Sequence, residues 1–350
     1  MKIVYSPEHI RHNTKTELCG GQLITPFECA ARMDYVCQAI AATGLGETQP
    51  PLSFPRYHVE RIHSRDYLEF LDTCWQQWQA AGLQGEAIPN VWPSRSMTSP
   101  HIPRHIDGKL GYYALCGETS IAENTAEAAW LSANVALTAA DLIAQGERTA
   151  FALARPPGHH ASRDQFGGYC FINNAAVATQ YLREHGFCRV ALMDVDFHHG
   201  NGTQSIFYER DDVFFSSIHG DPKDAFPYYL GHADEIGRGA GTGFNLNHPL
   251  PAGTPYAVWA EKLKLSLQAF KHYGADVLVV SLGLDTYEHD PISFFKIKTE
   301  EYLQMGQLLA TLGLPTLFVM EGGYAVEAIG HNTVNVLQGF EQANASLDPC

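Results

Sequence analysis

The chain has 350 residues, 45% of them hydrophobic and 17% charged, a balance that supports a large buried core and excludes a low-complexity or disordered chain. Its formal charge is -15, from 23 Lys and Arg against 38 Asp and Glu. That balance argues against a nucleic-acid partner, which needs clustered Lys and Arg, and is compatible with steering a cationic substrate.

The eight cysteines contain no C-x-x-C pair and read as free thiols of a reducing compartment. The apolar run before Ser6-Pro7 is too short for a signal peptide, and the longest apolar runs, 277–284 and 314–320, are strand-sized rather than membrane-spanning. A cytoplasmic protein is expected.

In chain order, 2–5 reads as a first strand. Helical spacing covers 27–42, ending near Gly44, and 66–81, ending at Gly82. Periodicity then fails across 83–123, where Pro89, Pro93, Pro100 and Pro103 fall. Because this segment carries Trp92, Ile102, Leu110, Tyr112 and Tyr113, the expectation is an ordered loop packed on something, a second subunit being one partner. Asn124 and Glu127 form a capping-box variant that opens a helix running through Leu142 to a stop at Gly146. Strands follow at 149–153, 190–195, 213–218, 243–246, 277–284 and 316–320, separated by helical patterns at 174–185, 255–273 and 299–312. Helices alternating with continuously apolar strands predict an α/β fold: one domain, with a central, mostly parallel sheet covered by helices on both faces.

In such sheets ligands bind beyond the carboxyl ends of the strands. Five polar motifs follow predicted strands: RPPGHH after 151–154, DVDFHHGNGT (194–203) after 189–193, SIHGDP ending 213–218, GLDTYEHDP after 277–282 and EGGY after 317–320. Singly each is weak; together they predict one crevice. Extended backbone would send Asp194, Asp196 and His198 to one side and Val195 and Phe197 to the other. Asp196, His198 and Asp285 supply two carboxylates and an imidazole, a set that suits catalytic zinc, with iron or manganese also allowed by ligand type. His159 and His160, after a stiff Pro-Pro-Gly turn, are candidate general base and acid, oriented by Asp194 and Asn201. Tyr324, after two glycines, is a candidate donor to an oxyanion.

Together RPPGHH, DVDFHHGNGT, GLDTYEHDP and EGGY resemble the zinc-dependent histone deacetylase superfamily, which has the arginase/deacetylase-type α/β fold. KTELCGG from Lys15, TSPHIPRHIDGKLGYY from Thr98, GGYCFINNAA from Gly167 and DPISFF from Asp290 look closest to its bacterial acetylpolyamine amidohydrolase branch. The resemblance implies a single catalytic domain that deacetylates N-acetylated polyamines of the acetylputrescine, acetylcadaverine and acetylspermidine class; a protein acetyl-lysine deacetylase is the alternative. It implies zinc on Asp196, His198 and Asp285, with His159 and His160 as the tandem pair, His160 the general base, and Tyr324 polarising the acetyl carbonyl. Asp194 would orient His159, and Asn201 His160. It implies structural potassium at one site formed by Asp194, Asp196, His198, Ser217 and Ile218 and another near Phe207, Arg210, Val213 and Phe244. Tyr169 and Phe226 would wall a narrow tunnel, Glu17, Asp107 and Glu118 would meet the distal ammonium, and Cys19, where an aromatic residue is expected, bears on tunnel width. The segment 83–123 would serve a homodimer. Within DVDFHHGNGT, His199 is left without a role.

Overall fold

Ten strands and ten α-helices follow one another in the computed structural model, which describes residues 1–98 and 100–345. Ser99, within one of the motifs above, and Cys350 lie outside the described residues. In chain order the elements are β1 (Lys2–Val4), β2 (Glu17–Cys19), β3 (Gln22–Ile24), α1 (Ala31–Thr43), β4 (Glu47–Gln49), α2 (Tyr57–Glu60), α3 (Arg65–Ala80), α4 (Ile106–Tyr112), α5 (Thr125–Ala144), β5 (Thr149–Ala152), α6 (Asn174–Glu184), β6 (Val190–Asp194), α7 (Asn201–Phe207), β7 (Val213–Gly220), β8 (Asn245–Leu250), α8 (Tyr256–Tyr273), β9 (Val277–Leu282), α9 (Glu301–Ala310), β10 (Thr316–Met320) and α10 (Val326–Ala345).

Eight strands form one sheet in the order β4-β1-β5-β10-β9-β6-β7-β8, and each neighbouring pair is parallel. Alternate side chains enter opposite cores, as the two-residue period of a strand requires. On β10, Leu317 and Val319 pack with residues of α3, α5 and α6, whereas Phe318 and Met320 pack with residues of α1, α8, α9 and α10. Both faces are therefore dry, which is why the strands read as unbroken apolar runs. β5, β10, β9, β6 and β7 are consecutive neighbours, so the five polar motifs emerge along one continuous edge.

Several boundaries differ from expectation. α1 begins at Ala31 rather than 27, because Phe27 and Glu28 are drawn into the site and the ion pairs beside it. It ends as expected, with Gly44 in the left-handed region at φ 62. β8 starts at Asn245 and runs through Pro249, tolerated because an edge strand needs no ladder N–H there. The capping box at Asn124 does not form: with φ -113 and ψ 19 the residue lacks cap geometry, and the Thr125 hydroxyl accepts from Ala122 N instead. Parts of the 83–123 segment pack on their own chain. Ala87 and Ile121 pair across an antiparallel bridge, and Ile106, Leu110 and Tyr113 join the core on the α3 side.

Candidate active site

Asp196, His198 and Asp285 come together where β6 and β9 end. Nδ1 of His198 lies 2.9 Å from Oδ2 of Asp285 and 3.3 Å from Oδ1 of Asp196. Backbone fixes both carboxylates: Asp196 accepts from His198 N and Gly322 N at 2.9 Å each, and Asp285 accepts from Phe197 N at 2.7 Å. Both Asp side chains are 0% exposed. Two buried anions facing one imidazole nitrogen leave an uncompensated charge unless a cation or proton lies between them. Burial, then the nearby Asp196, pushes Asp285 up to about 8; burial opposes protonation of His198, but hydrogen bonds to Asp196 and Asp285 lift it to about 10. Their donor atoms lie within 4.8 Å of one another, a spacing and ligand set that fit a metal ion. Gly322 keeps the place open: a Cβ there would sit 2.7 Å from Asp196 Oδ2, 2.8 Å from Asp285 Oδ2 and 3.1 Å from Tyr324 Oη.

The tandem histidines follow β5, and both are buried. The backbone of their turn is pinned by Glu321, whose Oε2 accepts from Gly158 N at 2.7 Å and His159 N at 3.1 Å. Nδ1 of His159 faces Asp194 Oδ2 at 3.0 Å, and Nδ1 of His160 faces Asn201 Oδ1 at 2.7 Å. The two environments separate the rings. Burial works against a charged His159, but the carboxylates of Asp196 and Asp194 outweigh it and raise its pKa well above the usual value. Burial, followed by the charges of His159 and His198, drives His160 well below it. The two rings are thus pushed in opposite directions, His160 toward the neutral form and His159 toward the charged one, a separation of the kind that distinguishes acid from base roles.

Tyr324 closes the group. Burial raises the phenol pKa well above its usual value, so the hydroxyl remains a donor. The site opens into a cavity of about 240 Å³ lined by His160, His198 and Tyr324 at its inner end and by Tyr169, Phe226, Glu17, Glu118 and Cys19. Phe226 meets His160 edge-on at 5.0 Å between centroids, and Tyr169 meets Tyr324 at 5.5 Å. Burial lifts Glu17 to about 7, against hydrogen bonds from Tyr169 and Phe27, and also raises Glu118.

One expected position falls elsewhere, and the unassigned His199 lies outside the cavity lining. Asp107 is not among the cavity residues of the single chain; it opens α4, where Asn90 Nδ2 donates to it at 3.4 Å. His199 points away from the cavity, pairing with Gln204 at 3.0 Å and packing on His219 at 4.5 Å between centroids. Of the residues considered for potassium, Asp194 stands in register opposite Ser217, with Ile218 next on β7; Phe207, Arg210 and Val213 span the connection from α7 into β7, and Phe244 O accepts from Phe215 N.

Other cavity residues escaped the sequence reading. Phe197 was expected to point away, but β6 ends at Asp194, the alternation lapses, and the ring lines the cavity beside Phe294. Asp224, Tyr228 and Ile292 come from loops without periodic signal, and Phe27 from the start of a stretch expected to be helical. A buried pair of cations, Arg32 and Arg155, meets Glu28 at 2.9 and 2.7 Å, and Arg32 also donates to the carbonyls of Glu321 and Gly323 beneath Tyr324.

A parallel sheet whose edge joins a two-carboxylate, one-imidazole set to a pair of adjacent histidines defines an α/β protein with a candidate metal site at the carboxyl ends of its strands. The histone deacetylase domain model matches residues 26–340. The chain is 52% identical to an acetylpolyamine amidohydrolase of Mycoplana ramosa over 97% of its length and 99% of that protein, and 50% identical to acetylpolyamine amidohydrolase 2 of Pseudomonas aeruginosa with the same coverage. Among solved structures, an acetylpolyamine aminohydrolase from Burkholderia pseudomallei superposes with a TM-score of 0.94 at 36% identity, covering 98% of this chain and 99% of that one. The chain belongs to the histone deacetylase family.

Proposed function

We propose that this protein is a zinc-dependent amidohydrolase that removes the acetyl group from N-acetylated polyamines, giving the free amine and acetate. The observation that carries this reading is that His198, neutral His160 and the Tyr324 phenol face one narrow cavity whose wall also bears the carboxylates of Glu17 and Glu118. The names printed for the relatives above point the same way.

Asp196, His198 and Asp285 would hold the zinc, which when bound supplies Lewis acidity toward the acetyl oxygen and lowers the pKa of water. His160, its Nδ1 proton directed to Asn201, takes the proton of the attacking water on Nε2 as the new C–O bond forms. His159, charged beside Asp194, and the Tyr324 hydroxyl stabilise the oxyanion. The proton then passes from His160 to the amine nitrogen as the C–N bond breaks. Tyr169 and Phe226 confine a slender alkyl chain, and the acidic wall favours a second ammonium at its far end.

We read the chain as one catalytic domain in a homodimer, supported by exposed Val91, Met97 and Ile102 on the 83–123 segment. The adjoining ends of β6 and β7 support structural potassium near Asp194 and Ser217. The seven described cysteines, all free, support a cytoplasmic setting; no helix among the described residues is long and apolar enough to cross a membrane. The test is a substrate panel of acetylputrescine, acetylcadaverine, acetylspermidine and acetyl-lysine peptides. A higher kcat/KM for the acetylated diamines supports the reading; preference for the peptides would make the protein a lysine deacetylase.

A further inference from the structure

We propose that Asp290 is a positioning residue for the reaction, holding Tyr324 at the angle from which its hydroxyl reaches the acetyl oxygen. This rests on the role given to Tyr324 above. Asp290 opens the DPISFF segment, which the mechanism leaves unused. Its side chain is buried, and its Oδ2 accepts from Tyr324 N at 2.8 Å and Ala325 N at 3.3 Å, while Oδ1 accepts from Ile292 N at 3.0 Å.

These contacts add a side-chain tie to two loops that are otherwise joined near their strand ends, where Leu284 N donates to Gly322 O at 3.0 Å. Tyr324 lies between β10 and α10, where no strand or helix bond fixes its backbone. Its N–H and that of Ala325 stand just before the first turn of α10, where donors need an acceptor and a negative charge is favoured. That acceptor comes from another loop, 34 residues earlier in the chain. The same loop carries Asp285, five positions upstream of Asp290, and the cavity residues Ile292 and Phe294. The carboxylate therefore sets the phenol, the β9 loop and one cavity wall to a common frame. The other contacts, the Tyr169 ring at 5.5 Å, the Arg32 guanidinium at 5.1 Å and the Arg32 bond to Gly323 O at 2.7 Å, hold the ring and the preceding carbonyl but leave the N–H of Tyr324 itself to Asp290.

The experiment is a double-mutant comparison on the zinc-loaded protein with acetylputrescine. Asp290→Ala should lower kcat about 10²-fold, the loss that an ångström of misplacement brings, with KM and zinc content close to wild type. On a Tyr324→Phe background the same change should produce no further loss, because the hydroxyl it positions is gone. Asp290→Asn, which keeps one accepting oxygen, should restore part of kcat, and it carries the same comparison should the alanine variant fail to fold. An equal fold loss in both backgrounds overturns the proposal while leaving the role of Tyr324 intact. Unchanged turnover in Tyr324→Phe alone overturns that role, and this proposal with it.

Discussion

The Nδ1–H of His160 donates to the amide oxygen of Asn201 at 2.7 Å, so the ring that accepts the proton of water is oriented by a neutral group. His160 works only when neutral, and burial, together with the charge of the adjacent His159, lowers its pKa. Asn201→Asp would replace the amide by a carboxylate, which raises an imidazole pKa. The acidic limb of the kcat/KM profile should then move to higher pH by about 1–3 units. A profile superimposable on wild type would mean that this contact does not tune the base.

Gly168 packs on the other side of the same ring. Its φ is +54, and a Cβ would lie 2.3 Å from His160 Cδ2. Gly168→Ala should therefore displace His160 and reduce kcat about 10²-fold while the far-ultraviolet circular dichroism stays native. Wild-type kcat in a folded alanine variant would show that His160 has room to move without consequence.

Glu17 gives a pH dependence of opposite origin. Burial holds its carboxyl up near 7, so the negative charge is present above about 7 and is lost as pH falls through that value. If the charge attracts the distal ammonium, KM for acetylputrescine should rise as pH falls through about 7. Glu17→Gln should show a KM raised about tenfold and flat across that range, with kcat little changed. The measurement is KM against pH for both proteins, and a KM in the variant equal to wild type at pH well above 7 would remove Glu17 from substrate recognition.

Much of this site was legible in sequence because its residues follow strands buried on both faces, whose apolar runs stand out and whose parallel order gathers their ends. Asp196, His198 and Asp285 were readable for that reason, and so were His159 and His160. Residues whose partners lie far along the chain were not. Glu28 meets Arg155 across 127 positions, and no local pattern announces such a pair. Phe197 was misdirected because strand alternation was carried past the end of β6. Asn124 had the right residue type for a cap but the wrong backbone angles, which only tertiary packing decides. Asp107 was expected at the cavity rim from resemblance alone, and within one chain it lies on α4 away from the cavity.

In the proposed function, Asp196, His198 and Asp285 hold a zinc ion on which turnover depends. The most direct test of that dependence is the rate of acetate release from acetylputrescine by chelator-stripped protein as zinc is added back. Stripping should abolish turnover, and about one equivalent of zinc per chain should restore it in wild type but not in Asp285→Ala. Undiminished turnover in the stripped protein, or restoration in the Asp285→Ala variant at the same zinc concentration, would contradict this reading.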